Sequence, residues 1–197
     1  MTRALASLIL ATIIAAAGAP AMALEEPQFE VIHVTNDYEI RHYAPYIVAE
    51  VDVTGDMGDS GNRAFRILAD YIFGNNEPGQ KMQMTAPVVS DAPQPARDAY
   101  TYAFVMESRY SMDTLPAPVD PRIRIVQKPA QVVAARSYSG RWTQENFLQH
   151  EVSLVSALTI DGLSTRSEPL LARYDSPFKP WFLRRNEVLV ELDWELN

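Results

Sequence analysis

The chain has 197 residues, of which 47% are hydrophobic and 21% charged, so it folds as a globule of one domain plus a short appendage. Its 25 acidic side chains outnumber 17 basic ones, and a net charge of −8 leaves no electrostatic footprint for nucleic acid. The absence of cysteine excludes a disulfide scaffold, a thiolate metal site, a cysteine nucleophile and a lipoprotein anchor.

The appendage comes first. Arg3 supplies one positive charge, residues 4–19 are almost wholly apolar, and Ala21-Met22-Ala23 closes the run with small residues at alternate positions. This is the layout of a secretory signal peptide, with cleavage expected before Leu24. The run of 16 residues falls short of the roughly 20 apolar residues that span a bilayer. The expectation is therefore a signal peptide over residues 1–23, a single domain over 24–197, and an exported, periplasmic or secreted product. No second apolar stretch approaches spanning length, so no integral membrane span is expected in the mature chain. Losing Arg3 and no acid makes that chain one unit more negative.

In the mature chain, alternation of apolar and polar residues predicts strands over 30–40 and 46–53. Residues 60–73 follow helical spacing through Ala64, Phe65, Ile67, Leu68, Tyr71 and Ile72, and Gly74 stops the run. Residues 75–79 form a turn by composition, and 80–89 alternate again, with Pro87 marking an edge or bulge. A proline-bearing hairpin loop over 91–98 precedes a strand over 100–106, and a proline-rich loop covers 111–121. Further strands are predicted over 123–126 and 132–138, a second helix over 143–160 with Thr143 as N-cap, and strands over 170–174 and 188–194. The order strand, strand, helix, strand, strand occurs twice. Ile47-Val48-Ala49 through Gly55 corresponds to Val132-Val133-Ala134 through Gly140 at a constant offset of 85 residues. These patterns predict an α+β fold made of duplicated half-domains, with a curved, barrel-like antiparallel sheet packed by two helices.

Hydrolytic chemistry has no support in the motifs: there is no paired-histidine metal spacing, nucleophile elbow or glycine-rich phosphate loop. Two segments stand out. In 76–88, Met82 and Met84 would share one face of a strand, either as soft core packing or as thioether ligands. In 174–187, Phe178, Trp181 and Phe182 crowd together with Lys179, Arg184 and Arg185. Aromatic faces beside cations suit a flat, anionic, apolar ligand, although the same loop would also form if the aromatics packed inward and the arginines paired with acids. Arg63 and Arg66 share a face of the first helix, either as a carboxylate grip or as a solvated surface. Of three histidines, His42 shares a strand face with Tyr38 and Ile40 and is a candidate axial iron ligand or a structural residue. His150, between Gln149 and Glu151, is expected to face solvent.

Five short segments, in order and along the whole mature chain, resemble the SOUL haem-binding family. They are Tyr38-Glu39-Ile40-Arg41, then Lys81-Met82-Gln83-Met84-Thr85-Ala86-Pro87-Val88, Leu115-Pro116 followed by Pro118, Tyr138-Ser139-Gly140-Arg141-Trp142, and Arg184-Arg185-Asn186-Glu187-Val188. The resemblance implies the same duplicated α+β fold and binding of haem or a related tetrapyrrole in an apolar groove. It implies a groove bordered by the first helix and the loop before the last strand. Ile67, Tyr71, Phe178 and Trp181 would meet the ring, and Arg63, Arg66 and Lys179 the propionates. Arg66 stands where one branch of the family has a pocket methionine, which makes this part of the groove more basic. His42 matches the histidine proposed as axial ligand in the SOUL branch, and Glu107 replaces a common proline, which implies a local loop change. The function so implied is non-enzymatic carriage or buffering of a tetrapyrrole outside the cytoplasm. A tetrapyrrole-modifying enzyme and an effector-sensing or protein-interaction module are the alternatives.

Overall fold

The computed structural model describes residues 24–93 and 98–194. The expected signal peptide and part of the 91–98 loop lie outside the described residues. Eleven strands and two helices follow in order: β1 (Phe29–Val34), β2 (Glu39–Tyr43), β3 (Tyr46–Thr54), α1 (Met57–Ile72), β4 (Asn76–Glu77), β5 (Val88–Asp91), β6 (Ala99–Val105), β7 (Ala117–Pro118), β8 (Arg124–Lys128), β9 (Gln131–Tyr138), α2 (Gln144–Ile160), β10 (Leu170–Arg173) and β11 (Asn186–Glu191). A short 3₁₀ turn (Trp181–Leu183) precedes β11. Among the described residues, no helix is long and apolar enough to cross a membrane.

Nine strands form one antiparallel half-barrel sheet in the order β1-β2-β9-β11-β10-β5-β6-β3-β8. β4 and β7 pair separately. The α+β class with two helices on a curved antiparallel sheet is as the sequence predicts; the duplication rests on the sequence offset alone. The expected strand over 30–40 is two strands, because Thr35 turns the chain: its hydroxyl donates to the Tyr38 carbonyl and accepts from the Tyr38 amide, both at 3.0 Å. The expected strand over 80–89 is shorter, with only Val88 onward joining the sheet. Met82 and Met84 instead pack against the core from an irregular segment, and the Met82 amide donates to the Ile72 carbonyl at 2.7 Å.

Period-2 alternation gives the sheet two unlike faces. On the outer face, α1 buries Ala64, Leu68, Tyr71 and Ile72 against β3 and β6, including Ala49, Val51, Tyr102 and Phe104. There too, α2 buries Phe147, Leu154 and Leu158 against Ile40, Ala134, Leu171 and Val188. The central pair, β10 and β5, therefore lies in the seam between the two helices. The inner face carries a smaller cluster of Val48, Ala103 and Val105.

Candidate functional site

The inner face opens into a cavity of about 390 Å³ floored by Val48, Val89, Ala103, Val133 and Leu189. The cations at its rim are occupied. Lys128 Nζ lies 2.7 Å from Glu50, and the Arg124 guanidinium pairs with Asp52 and, at 3.7 Å, with Glu50.

Beyond the cavity, a buried polar cluster crosses the inner face. Glu187 on β11 accepts from Arg41 Nη1 at 2.7 Å, Arg41 Nη2 at 3.1 Å, Ser137 Oγ at 2.9 Å, the Tyr174 hydroxyl at 2.7 Å and Arg185 Nε at 3.2 Å. Burial alone would push the Glu187 carboxyl up, but the hydrogen bonds and charge of Arg41 outweigh it and hold it below the ordinary value. Arg185 also forms a two-pronged pair with Glu26 at 2.9 and 2.8 Å. Arg185 is thus taken up by acids, whereas its neighbour Arg184 is not.

The outer face is different. The loop before β11 closes onto the segment that leads into α2: the Gly140 amide donates to the Trp181 carbonyl at 3.1 Å. Trp142 Nε1 donates to Asn186 Oδ1 at 2.7 Å, and Asn186 Nδ2 donates to the Gly140 carbonyl at 3.4 Å. Gly140 has φ +127, and a Cβ there would stand 2.5 Å from Asn146 Nδ2, so only glycine fits this crossing. Around the crossing gather three arginines over two indoles. The guanidinium carbons of Arg173 and Arg184 lie 5.3 and 4.3 Å from the Trp142 ring centroid, and that of Arg141 lies 5.4 Å from Trp181. None of the three forms an ion pair among the described residues. Arg184 instead donates to the carbonyls of Lys179 and Pro177 at 2.9 and 2.6 Å. Phe182 meets Trp181 edge-on at 5.6 Å. Phe178 is 95% exposed and Trp181 46%, which makes this loop an uncovered apolar surface ringed by cations.

Of the residues expected to form one groove, Phe178, Lys179 and Trp181 lie together in this loop, with Lys179 Nζ bound to Asp175 at 2.7 Å. Arg63 leans the other way: its Nη2 donates to the Thr54 carbonyl at the end of β3. Phe65 packs on Phe104 of β6 at 5.4 Å, so it is the Phe65 flank of α1 that faces the seam, while Arg63 and Ile67 lie on the flank toward β8. Arg66 is exposed, with Nε donating to the Asn62 carbonyl at 3.3 Å. Tyr71 is sealed in the core with its hydroxyl donating to the Pro116 carbonyl at 2.7 Å, and burial pushes its phenol up to about 12. The structure therefore does not gather Arg63, Ile67 and Tyr71 with the loop. His42 is half-buried on β2 and pairs with Val132, six residues along β9 from Tyr138. At about 3.3 Å per residue that is roughly 20 Å from the loop's attachment. His150 does not face solvent but stacks on Tyr138 at 4.2 Å, and burial lowers its pKa below the ordinary value. Glu107 is buried and accepts the Gln83 amide at 2.9 Å and Arg109 Nη2 at 2.9 Å, which binds the loop where a proline would have no such acceptor.

Sequence reasoning missed Trp142, Arg141 and Arg173. Arg141 and Trp142 stand inside a segment that carried the resemblance, but only the fold brings them under the loop.

Comparison with known proteins agrees with this architecture. The family model for "SOUL heme-binding protein" matches residues 24–191. Human Heme-binding protein 2 is 29% identical over 195 aligned residues, covering 90% of this chain and 94% of the relative. Heme-binding protein 1 of Xenopus tropicalis is 28% identical and covers 77% and 81% of the two chains. Among solved structures, the C-terminal domain of EcmrR has the same fold with a TM-score of 0.60 at 12% identity, over 79% of this chain and 98% of that one.

Proposed function

As the chain belongs to the SOUL heme-binding protein family, we propose that it binds haem, or a closely related tetrapyrrole, on the outer-face cluster of Trp142, Phe178, Trp181 and Phe182. We propose further that it carries or buffers this pigment outside the cytoplasm without altering it. The observation that carries the reading is the set of arginines, unpaired with acids among the described residues, over the half-buried Trp142 and the exposed Trp181 in a chain of net charge −8. A tetrapyrrole has a broad apolar ring and anionic side chains, and the cluster supplies an apolar surface with cations at its edge. When bound, the pigment would bring whatever iron chemistry the complex has; this chain's residues supply the ring's seat and the charge match. The donor set fits the ring and its carboxylates rather than the iron. His42 sits on β2 opposite the far end of β9, and Met82 and Met84 lie at the core beneath α1. Export is supported by the layout of residues 1–23 alone.

Titration of the mature protein with haemin tests the reading. Two of the three tryptophans belong to the cluster, so binding should quench most of the indole emission and shift the Soret band. Trp181→Ala combined with Phe178→Ala should weaken binding roughly tenfold or more, at 1–3 kcal/mol per stacking contact. No Soret shift and no quenching at micromolar protein would defeat the proposal. Recovery of unchanged pigment after incubation with reductant separates a carrier from a modifying enzyme. A second reading, an effector-sensing module, draws on the inner cavity, whose paired rim charges suit a small, weakly charged apolar molecule. Cavity-filling Ala103→Phe should abolish such binding and leave haemin binding intact.

A further inference from the structure

Arg173 ends β10 on the outer face, in the seam between α1 and α2. Trp142 covers it from the α2 side, Tyr102 lies toward α1 with its hydroxyl hydrogen-bonded to Ser60 Oγ at 2.9 Å, and the exposed ring of Phe65 flanks that side. Its Nε is buried with no hydrogen-bond partner, and among the described residues no carboxylate pairs with its guanidinium. The nearby ionisable groups are Tyr102 and Tyr138, not acids, and burial pushes Arg173 below the ordinary arginine value. This sets it apart from Arg41, which is more deeply buried but held by Glu187. A half-buried guanidinium with its Nε sealed and no counter-charge costs stability, and departures from local rules of this kind concentrate at functional sites.

We infer that Arg173 is the receptor for a ligand carboxylate in the seam between the two helices. The unpartnered donors supply the charge-assisted hydrogen bonds, and Trp142 supplies a flat surface for the aromatic body that bears the acid. For the pigment proposed above this carboxylate is a propionate, so the identity of the ligand rests on that reading while the role of Arg173 does not. The sequence had no means of marking the residue, which reads as the polar end of an ordinary strand.

The test compares the mature protein with Arg173→Met and Arg173→Lys, using protoporphyrin IX and its dimethyl ester as probes and tryptophan emission as readout. The wild type should prefer the diacid to the diester by roughly tenfold or more, the range of one charge-assisted contact. Arg173→Met should lose that preference while keeping its affinity for the diester, and Arg173→Lys should keep part of it. The urea midpoint of Arg173→Met should hold or rise, because an uncompensated cation has been removed. Equal binding of acid and ester by the wild type overturns the inference. So does equal weakening of both in Arg173→Met together with a fallen midpoint, which is the signature of a purely structural stack on Trp142. If neither porphyrin binds, the haem reading fails, and pyrenebutyrate against pyrenebutanol decides the role of Arg173. A preference for the acid that Arg173→Met abolishes upholds the role, and equal binding or no binding of the two overturns it.

Discussion

Glu187 has no exposed surface, yet five donors converge on its two oxygens. Two of the segments that carry the family resemblance, around Arg41 and around Glu187, meet here across β2, β9 and β11. Their shared chemistry is therefore structural: a buried acid holds a buried arginine. Glu187→Gln keeps the shape and removes the charge, leaving Arg41 undercompensated. We expect a loss of about 3 kcal/mol, at the lower end for breaking a buried pair, read from urea denaturation. The pH dependence follows from the depressed carboxyl. Glu187 contributes stability that is fully present above its unfolded value near 4.5 and is lost as pH falls through the lower folded value. The wild-type and Glu187→Gln midpoints should thus converge as pH drops below that range. Another single residue has the opposite character. His42 is half-buried with no role in the outer-face cluster, so His42→Ala should leave the haemin spectrum unchanged, and iron-free protoporphyrin should bind within a few-fold of haemin. A changed iron spectrum in His42→Ala would return the ligand to the β2 face.

Among the elements, α2 shows how the site is held in place. Thr143 Oγ accepts the Asn146 amide at 3.3 Å, and Asn146 Nδ2 donates to the carbonyls of Ser139 and Arg141 at 3.4 and 3.1 Å. The helix start thereby grips the turn at Gly140, which in turn presents Trp142 and meets Trp181. Gly140→Ala should cost about 1–3 kcal/mol for a side chain at a strongly positive φ, and the collision with Asn146 should loosen Trp142. Thermal denaturation and the Trp emission maximum would both register it; an unshifted maximum would separate the turn from the indole. The two helices and most strands were legible in the sequence because burial on one face imposes its period on the residues. Residues 80–89 misled because Met82 and Met84 alternate like a strand while packing from an irregular segment. The aromatic loop was legible by composition. Its partners were not, since the Arg141-Trp142 pair and Arg173 stand about 30 residues apart in the chain and share a surface with the loop only when β9, β10 and β11 align. Arg63 and Arg66 share a helix face as the spacing requires, but spacing cannot say which flank of α1 meets the seam. The contact of Phe65 with Phe104 decides that.

At the scale of the whole molecule, residues 25–28 run across the half-barrel and tie separate parts of it together. The Glu25 carbonyl accepts the Ala86 amide at 2.8 Å, and its carboxylate accepts the Ser108 amide at 2.6 Å. Glu26 grips Arg185, and the Gln28 carbonyl accepts the Ala44 amide at 3.0 Å. This strap links the β2–β3 turn, the end of β6 and the strand that carries Glu187. The expected signal cleavage before Leu24 falls just outside it, so processing there leaves every one of these contacts intact. A cut a few residues further in would remove the Glu25 and Glu26 contacts. A chain beginning at Gln28 should therefore be less stable than one beginning at Leu24 by roughly 2–3 kcal/mol, from one backbone hydrogen bond, one amide-to-carboxylate hydrogen bond and a partly exposed ion pair. The outer-face cluster lies on the other side of the sheet, so haemin affinity at low denaturant should be the same for both. Intact mass of the protein purified from a secreting host checks the cleavage, with Leu24 as the expected first residue. Paired urea titrations check the stability difference, and equal midpoints would mean that the strap merely rests on a sheet that holds without it.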